Sequence, residues 1–320
     1  MLISTGELPD PAAPRTCPGD QIMGAQIYKN KKLIWIFLLP AFLFMFVYLY
    51  YPFVRNILNS FMHIKYMGTA GGEWNSPWYK NYLALLSDPK MKIALKNTAI
   101  TIAATIIGQV GIALILALLV SNIKRGSGFF RTVFFFPIVI SATALGLLFN
   151  LVFLYDKGMI NQFLQFAGYL NREANELIDW KAKHAMFTML TPVIWQYVGF
   201  YFVILLTGLA GIPDDLYESA TIDGATRWQS VRYITLPLLR NSIGTCVILA
   251  VTGALKVFDL PWTMFVNGMS NTWLTGTYMY SKVYSDVDYA SAIAVVIVVI
   301  GVILSAAVNR IFRQNVDYQA

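Results

Sequence analysis

Five side chains that could bind a polar ring lie close together in one long apolar run. They are Trp195, Gln196, Tyr197, Phe200 and Tyr201. Aromatic faces stack on the apolar face of a sugar ring, and amide and phenol groups hydrogen-bond to its hydroxyls. The small residues Gly253 and Ala254 in another apolar run would leave room for such a molecule, or would let two helices pack closely. These seven residues are the candidates for a substrate-binding site.

Lys256 brings a charge close to these residues, and Asp259 follows three residues later. A charge inside a membrane is costly and often marks a functional residue. Alternatively, the two side chains share one helical face, pair with each other and reach the interface near a helix end. If Lys256 faces a cavity, an anionic glycerol phosphate or acidic sugar would fit. If it does not, a neutral pocket around Trp195 favours a mono- or oligosaccharide.

The sequence contains no arrangement of residues typical of catalysis. It has no Gly-x-x-x-x-Gly-Lys-Ser/Thr loop for nucleotide phosphates and no Gly-x-Ser-x-Gly nucleophile. His63 and His184 are isolated, and Cys17 and Cys246 lack the spacing of metal ligands. We therefore predict a protein that is not itself an enzyme and that holds no cofactor or metal.

A polar segment from Glu218 to Pro237 separates two of the apolar runs. Pro213, just before this segment, fits the start of a helix, and Gly224 permits a break before Trp228. The spacing predicts two faces, with Glu218, Thr221 and Ala225 on a first short helix and Trp228, Val231 and Thr235 on a second. Two short helices with a bend between them could fill a groove on a soluble partner.

This segment resembles the cytoplasmic coupling loop of binding-protein-dependent ATP-binding-cassette permeases. That loop reads Glu-Ala-Ala, three residues, Gly, nine residues, Ile-x-Leu-Pro, and Ser219 departs from it where the pattern has Ala. The flanking Ile-Pro-Asp-Asp-Leu-Tyr (212–217) and Ile-Asp-Gly-Ala (222–225) resemble the sugar and glycerol-phosphate branch. The resemblance implies ATPase-coupling roles for Glu218, Ser219, Ala220, Asp223, Gly224, Ala225, Ile234, Leu236 and Pro237.

The resemblance also implies partners and a mechanism. A second, similar permease, two cytoplasmic ATPase subunits and an extracytoplasmic binding protein are expected, with ATP and Mg²⁺ held by the ATPases. The chain would carry a carbohydrate by alternating access, and glycerol 3-phosphate or another polar solute is the alternative. A secondary transporter is a weaker alternative, because such proteins typically have internal repeats, broken helices and ion sites.

Composition indicates an integral membrane protein. With 57% hydrophobic and only 13% charged residues, the chain could not fold in water without exposing large apolar patches. The uncharged runs are Leu33–Val54, Asn97–Ile123, Thr132–Tyr155, Ala185–Pro213, Asn241–Leu255 and Tyr289–Asn309. A transmembrane helix needs about 20 apolar residues. The fifth run reaches that length only if it continues as a helix through Lys256 and Asp259 to Trp262.

We therefore predict an all-α, six-span permease with one transmembrane domain over residues 29–320 and a coupling loop at about 212–240. Residues 1–28 are proline-rich and polar, which favours a disordered leader and makes Met23 a possible start. Basic residues mark the cytoplasmic ends of the spans, namely Lys29, Lys31, Lys32, Lys124, Arg125, Arg131, Arg310 and Arg313. Both termini are thus predicted to lie inside a bacterial cell membrane. No basic cluster accompanies a nucleic-acid-binding module.

Three outer segments carry features of their own. Residues 55–93 include Trp74, Trp78, Tyr79 and Tyr82, which suit the lipid interface or a contact with the delivery protein. Asn81-Tyr82, Asn97-Thr98 and Gly158-x-x-Asn161 resemble the family pattern. In the last outer loop, Asn267-Gly268-Met269-Ser270-Asn271 stands where the family commonly has a Gly-Gly-Pro turn.

Overall fold

The computed structural model describes residues 31–64, 72–121, 123, 126–171, 174 and 176–312. The predicted leader, with Cys17 and Met23, lies outside these residues, as do Lys29, Lys124, Arg125 and Arg313. The chain divides into two compact units, one ending at Asn56 and the other beginning at Ile57. A single transmembrane domain over residues 29–320 stays a prediction.

Helix α1 (Lys31–Met45) passes through a π-helical stretch (Phe46–Tyr50) into α2 (Tyr51–Asn59). Apolar side chains are exposed on all sides from Trp35 to Val54. A helix surrounded by lipid presents such a surface, because every backbone polar group is satisfied within the helix itself. The predicted first span, Leu33–Val54, agrees with the apolar helical segment Ile34–Asn59.

The rest of the described chain is helical apart from one pair of short antiparallel strands, β1 (Met62–His63) and β2 (Glu73–Trp74). The α-helices, in chain order, are α3 (Lys80–Ser87), α4 (Pro89–Thr105), α5 (Ile112–Ser121), α6 (Ser127–Phe135), α7 (Ala142–Val152), α8 (Met159–Phe166), α9 (Trp180–Lys183), α10 (Ala185–Ala210), α11 (Asp215–Ile222), α12 (Arg227–Ser230), α13 (Leu236–Leu238), α14 (Arg240–Lys256), α15 (Asp259–Met264), α16 (Thr275–Lys282) and α17 (Val287–Phe312).

The described residues contain up to six apolar segments that could cross a membrane, by their length and composition. In the described residues, five helical segments have the length and apolarity to cross a bilayer, and these are Ile34–Asn59, Pro89–Ser121, Ala185–Ala210, Arg240–Met264 and Val287–Phe312. The pair Ser127–Val139 and Ala142–Val152 supplies a sixth when it is counted as one span. The predicted helical membrane fold is confirmed.

The third span is not the straight helix that the run Thr132–Tyr155 predicts. Its two halves meet at 94°. A 3₁₀ turn over Phe136–Val139 ends the first half, and Ile140 is extended. The Ser141 side chain then accepts a hydrogen bond from the Ala144 amide and caps α7. A new N-cap inside an apolar run starts a second helix in a new direction.

The fifth span extends through Lys256 and Asp259 past Trp262, as predicted, but its helix is interrupted. Helix α14 ends at Lys256, Val257 and Phe258 are not helical, and α15 begins at Asp259. Pro261 gives the reason, because a proline lacks the amide proton that would bond the carbonyl four residues earlier and its ring clashes with that carbonyl. The carbonyl four residues before Pro261 belongs to Val257.

Helices α5, α10 and α14 form the main apolar core. Ala113, Phe202, Leu205 and Cys246 are fully buried there. Gly199 of α10 makes the closest approach, because a Cβ atom at this position would lie 1.7 Å from the backbone oxygen of Phe134. The backbones of α10 and α6 are therefore in direct contact at this point.

Candidate substrate cavity and coupling loop

A cavity of about 300 Å³ lies between the second, fourth and fifth spans and the start of α7. Its volume is at the lower end of the range for small-molecule sites. It is lined by Thr105, Gln109, Ala142, Val193, Gln196, Tyr197, Phe200, Tyr201, Leu249, Gly253, Ala254, Lys256, Val257, Phe258, Asp259 and Leu260. Six of the seven sequence candidates are among them, and their binding roles stay predictions.

Trp195 is the exception, because it does not line this cavity, and its substrate-binding role also stays a prediction. Its side chain is 44% exposed and packs against Phe149, with ring centroids 5.9 Å apart. Neighbouring residues on an α-helix point about 100° apart, whereas residues spaced by three or four share a face. Val193, Gln196, Tyr197 and Phe200 follow that spacing toward the cavity, and Trp195 points elsewhere.

Three of the four spans around this cavity are irregular. Gln109 belongs to a π-helical turn (Ile106–Gly111) between α4 and α5. Ala142 follows the break in the third span, and Val257 and Phe258 form the break in the fifth. Pro192 lies inside α10, one residue before the cavity wall. π-turns and broken transmembrane helices occur frequently at functional and ligand-binding sites.

Lys256 and Asp259 both line the cavity, and the prediction that they pair on one helical face is wrong. Among the described residues, neither has an ion-pair partner within 4.0 Å. The break between α14 and α15 separates them. Each charge is instead favoured by a helix dipole, because Lys256 ends α14 and Asp259 begins α15. Both groups are therefore available to a ligand.

Two tyrosines add hydrogen-bonding groups to the same wall. Tyr201 is 4% exposed and Tyr197 is 38% exposed, and within the described part of the chain neither hydroxyl has a hydrogen-bond partner. Both hydroxyls can therefore donate to and accept from a ligand in the cavity. Together with the amides of Gln109 and Gln196, these groups give an apolar cavity a small set of polar contacts.

Gln109 is a cavity residue that the sequence argument missed. It is 3% exposed and lies in the middle of the second span. The sequence does contain an indication of this role, because a polar side chain inside an apolar transmembrane run commonly faces the interior of the helix bundle. Thr105, four residues earlier and on the same face, also lines the cavity.

The polar segment forms two short helices with a bend, as its sequence predicts. Helix α11 ends at Ile222, Gly224 has a φ of 77°, and α12 begins after Thr226. Thr226 and Gln229 form a capping box that fixes the start of α12. The Tyr217 hydroxyl lies 3.0 Å from the Thr235 hydroxyl and ties the two halves of the loop together.

The second predicted face of this loop is not continuous. Trp228 is 69% exposed, whereas Thr235 is buried. The reason is a π-helical turn over Val231–Thr235, which places more residues in each turn than an α-helix does. The side chains of Trp228 and Thr235 therefore point in different directions.

The nine candidate coupling residues differ in exposure. Glu218, Ser219, Asp223, Gly224 and Pro237 are exposed, Ala225, Ile234 and Leu236 are partly buried, and Ala220 is buried. The Glu218 carboxylate has no hydrogen bond or ion pair within the described residues. Ser219 departs from the family pattern at little cost, because its hydroxyl donates to the Asp215 carbonyl of the same helix at 2.8 Å. Their coupling roles stay predictions.

We expect Gly224→Val to impair transport, and Gly224→Asn to be tolerated. No atom lies within 4 Å of a Cβ placed at Gly224, so the effect arises from the backbone and not from a clash. A φ of 77° is strained for a β-branched residue, whereas asparagine adopts it readily. Uptake and thermal unfolding of both variants would check this. Equal behaviour of valine and asparagine would contradict it.

Four residues that resemble the family pattern, at the end of the molecule predicted to lie outside, are structural anchors. The Asn81 amide donates to the backbone oxygens of Ser60 and Met62. The Asn97 amide donates to Asn271 and Trp273, and the Thr98 hydroxyl lies 3.2 Å from that of Thr275. The Asn161 side chain bonds Tyr155, Ile178 and the Trp180 indole. Trp74 and Trp78, in contrast, are exposed.

One carboxylate joins three helices at this same end of the molecule. Asp88 accepts from the Lys90 amide at the start of α4 and from the hydroxyls of Tyr278 and Tyr289. Burial raises the pKa of Asp88, but the hydrogen bonds from the two tyrosines outweigh burial and hold this pKa below its ordinary value. The carboxylate therefore stays charged in mildly acidic surroundings.

The chain is similar to curated permeases along nearly its whole length. It is 32% identical to the probable ABC transporter permease protein YurN of Bacillus subtilis, over 90% of this chain and 98% of that protein. It is 30% identical to the lactose transport system permease protein LacF of Rhizobium radiobacter, over 85% of this chain and 91% of that protein.

Solved structures share the fold. A chain of a bacterial ABC transporter involved in the import of the acidic polysaccharide alginate superposes with a TM-score of 0.75 at 20% identity, covering 92% of this chain and all of that one. Residues 110–318 also match a protein family, the binding-protein-dependent transport system inner membrane component. With more than half of its length in that match, the chain belongs to this family of membrane transport components.

Proposed function

We propose that the chain is the permease subunit of an ATP-driven importer and that it carries a carbohydrate delivered by an extracytoplasmic binding protein. The observation that carries this proposal is the cavity, where three interrupted spans and α10 meet around hydrogen-bonding groups without partners. Aromatic rings of Tyr197, Phe200 and Phe258 lie beside those groups and offer stacking faces. The relatives named for lactose and for multiple sugars support the same assignment.

A neutral sugar suits this cavity better than a phosphate ester. Lys256 would attract an anion, but Asp259 lies at the same end and its carboxylate repels one. A sugar can use both groups, since each hydroxyl donates one hydrogen bond and accepts others. Glycerol 3-phosphate would instead need fixed cationic partners for its dianion, and Lys256 is the single cation among the lining residues.

Energy would come from partner subunits. The sequence has no phosphate-binding loop, so ATP hydrolysis would take place on two cytoplasmic ATPases, and the loop over α11 and α12 would transmit their closure. A second, similar permease would complete the pathway. With both chain ends in the cytoplasm, the coupling loop also lies on that side.

Reconstitution tests this proposal. In proteoliposomes, we expect uptake of neutral sugars to require ATP and all partner subunits, and we expect no ATPase activity from the purified chain alone. Labelled glucose, lactose, maltotriose, glucuronate and glycerol 3-phosphate serve as probes, each with and without ATP inside.

Two outcomes would contradict the proposal. Uptake driven by a proton or sodium gradient without ATP would indicate a secondary transporter. Preferred uptake of glycerol 3-phosphate, lost in Lys256→Met, would replace the sugar by an anionic substrate.

A further inference from the structure

We propose that Gln109 and Gln196 are specificity-determining residues with a double role. Each holds an interrupted helix in place through its amide nitrogen and accepts a hydrogen bond from a substrate hydroxyl through its amide oxygen. This inference rests on the proposed function, because it concerns the same cavity and a substrate that offers hydroxyl groups.

The amide nitrogens have fixed partners. Gln109 Nε2 donates to the Val193 backbone oxygen at 2.8 Å, and Gln196 Nε2 donates to the Ile140 backbone oxygen at 3.1 Å. A backbone carbonyl only accepts hydrogen bonds, so it is the NH₂ group of each amide that must point toward it. The orientation of both amides is thereby determined, and each Oε1 points away from its tie.

The amide oxygens have no partner. Both glutamines are more than nine-tenths buried, at 3% and 6% exposure, and both line the cavity. Within the described residues, no hydrogen bond reaches either Oε1. Neither oxygen belongs to the buried side-chain atoms that lack a hydrogen-bond partner, so both oxygens remain accessible from the cavity. Each oxygen is an acceptor with no protein donor, so a ligand hydroxyl in the cavity can donate to it.

The chemistry of the oxygens selects the ligand. Two carbonyl-type acceptors, with the Asp259 carboxylate beside them, require donors. Sugar hydroxyls provide donors in fixed positions, whereas phosphate and carboxylate oxygens provide none when ionised. A site built to bond a hydroxyl discriminates strongly against an analogue that lacks it, because its own polar group is then left unpaired.

The nitrogens give these residues their positioning role. Gln109 ties the π-helical turn of the second span to α10, and Gln196 ties α10 to the break in the third span, where Ile140 lies. A hydroxyl bound to either oxygen therefore contacts the group that joins two spans. Substrate occupancy and the relative placement of these spans are linked through the same side chains.

Deoxyfluoro sugars distinguish a role of the two glutamines in substrate recognition from a purely structural role. Fluorine is close in size to a hydroxyl but cannot donate. In the reconstituted importer, the probes are the best-transported of glucose, lactose and maltotriose, together with its monodeoxyfluoro analogues. For the wild type, we expect the analogues at the recognised positions to raise KM by about 3- to 10-fold, which is the loss of one neutral hydrogen bond.

The variants Gln109→Met and Gln196→Met keep side-chain length but lose the amide. In each, we expect KM for the parent sugar to rise by a similar factor, and one analogue to be transported no worse than the parent. Gln162→Met is the matched control, because Gln162 Nε2 also donates to a backbone carbonyl, that of Lys157 at 3.0 Å, on an exposed outer helix. This control should keep the wild-type pattern.

Three results would overturn the inference. An equal loss for the parent and every analogue in the methionine variants would mean that the glutamines act only on structure. If those variants fail to assemble, the wild type still decides, because equal transport of the parent and all analogues would exclude recognition through a donated hydrogen bond. Absence of any ATP-dependent uptake of neutral sugar would contradict the proposed function, and this inference with it.

Discussion

Replacing Glu218 by lysine is expected to reduce ATP-driven uptake to background while the protein remains inserted in the membrane. Glu218 is exposed on α11 and has no ion pair within the described residues, so its carboxylate is free for a partner. If that partner is a basic residue in a groove of the ATPase, lysine places two like charges together, which costs several kcal/mol at an interface. Uptake and recovery of the assembled complex are measured in parallel.

A matched variant tests the specificity of this effect. Asp156→Lys also exchanges an exposed acid for lysine, but in the loop after α7, on the predicted opposite side of the membrane. It should keep normal uptake and normal complex recovery. Full uptake by the Glu218 variant would remove the coupling role, and equal losses in both variants would reduce it to a general charge effect.

Gly199→Ala is expected to prevent the correct packing of α6 against α10. The added methyl carbon would lie 1.7 Å from the Phe134 backbone oxygen and 2.8 Å from the Phe135 backbone nitrogen. Ordinary overpacking costs about 1–3 kcal/mol and is relieved in part by side-chain movement. Here the obstacle is a backbone, so whole helices must separate and the cost is expected to exceed that range. Thermal unfolding of the purified protein and its yield from membranes measure the effect.

Gly111→Ala is the control for this substitution. It lies in the second span, and no atom approaches within 4 Å of a Cβ at that position. Its melting temperature should stay close to that of the wild type. A stable, normally expressed Gly199 variant would show that the contact between the two helices is looser than described.

The local features of the coupling loop could be predicted from the sequence, because short-range chemistry determines them. Gly224 supplies a positive φ, and Thr226 with Gln229 supplies a cap, within a few residues of each other. The apolar spans were equally predictable, since lipid imposes their length and hydrophobicity.

The break in the third span was not predictable from hydropathy, because Ile140 is extended although it continues an apolar run. At the break in the fifth span, Val257 and Phe258 stand between Lys256 and Asp259, and two charges near a helix end did not by themselves indicate that the helix stops there. What ends the helices is a serine cap in one case and a proline in the other. Both signals are common inside transmembrane helices, where tertiary packing decides whether the helix stops.

Which of the neighbouring side chains line the cavity could be decided only from the structure. Aromatic residues alone suggested Trp195, and only the helical spacing, read with the position of the core, separates it from Tyr197. Gln109 was accessible to sequence reasoning as a polar residue in a span. Its pairing with Val193 depends on the packing of two helices 84 residues apart in sequence, which no local pattern specifies.

The irregular turns around the cavity have a mechanical consequence. An unbroken α-helix is stiff. A π-turn or a non-helical break, in contrast, can change its backbone dihedral angles while losing few hydrogen bonds. The long regular helical segments should therefore move as rigid bodies. The packed helices α6 and α10, which are in contact at Gly199, are an example. We expect the flexible points of the protein to lie at Gln109, Ile140 and Val257, of which Gln109 and Val257 line the cavity. Spin labels across these positions would report larger angular changes between ATP-bound and empty states than labels placed along α10 alone.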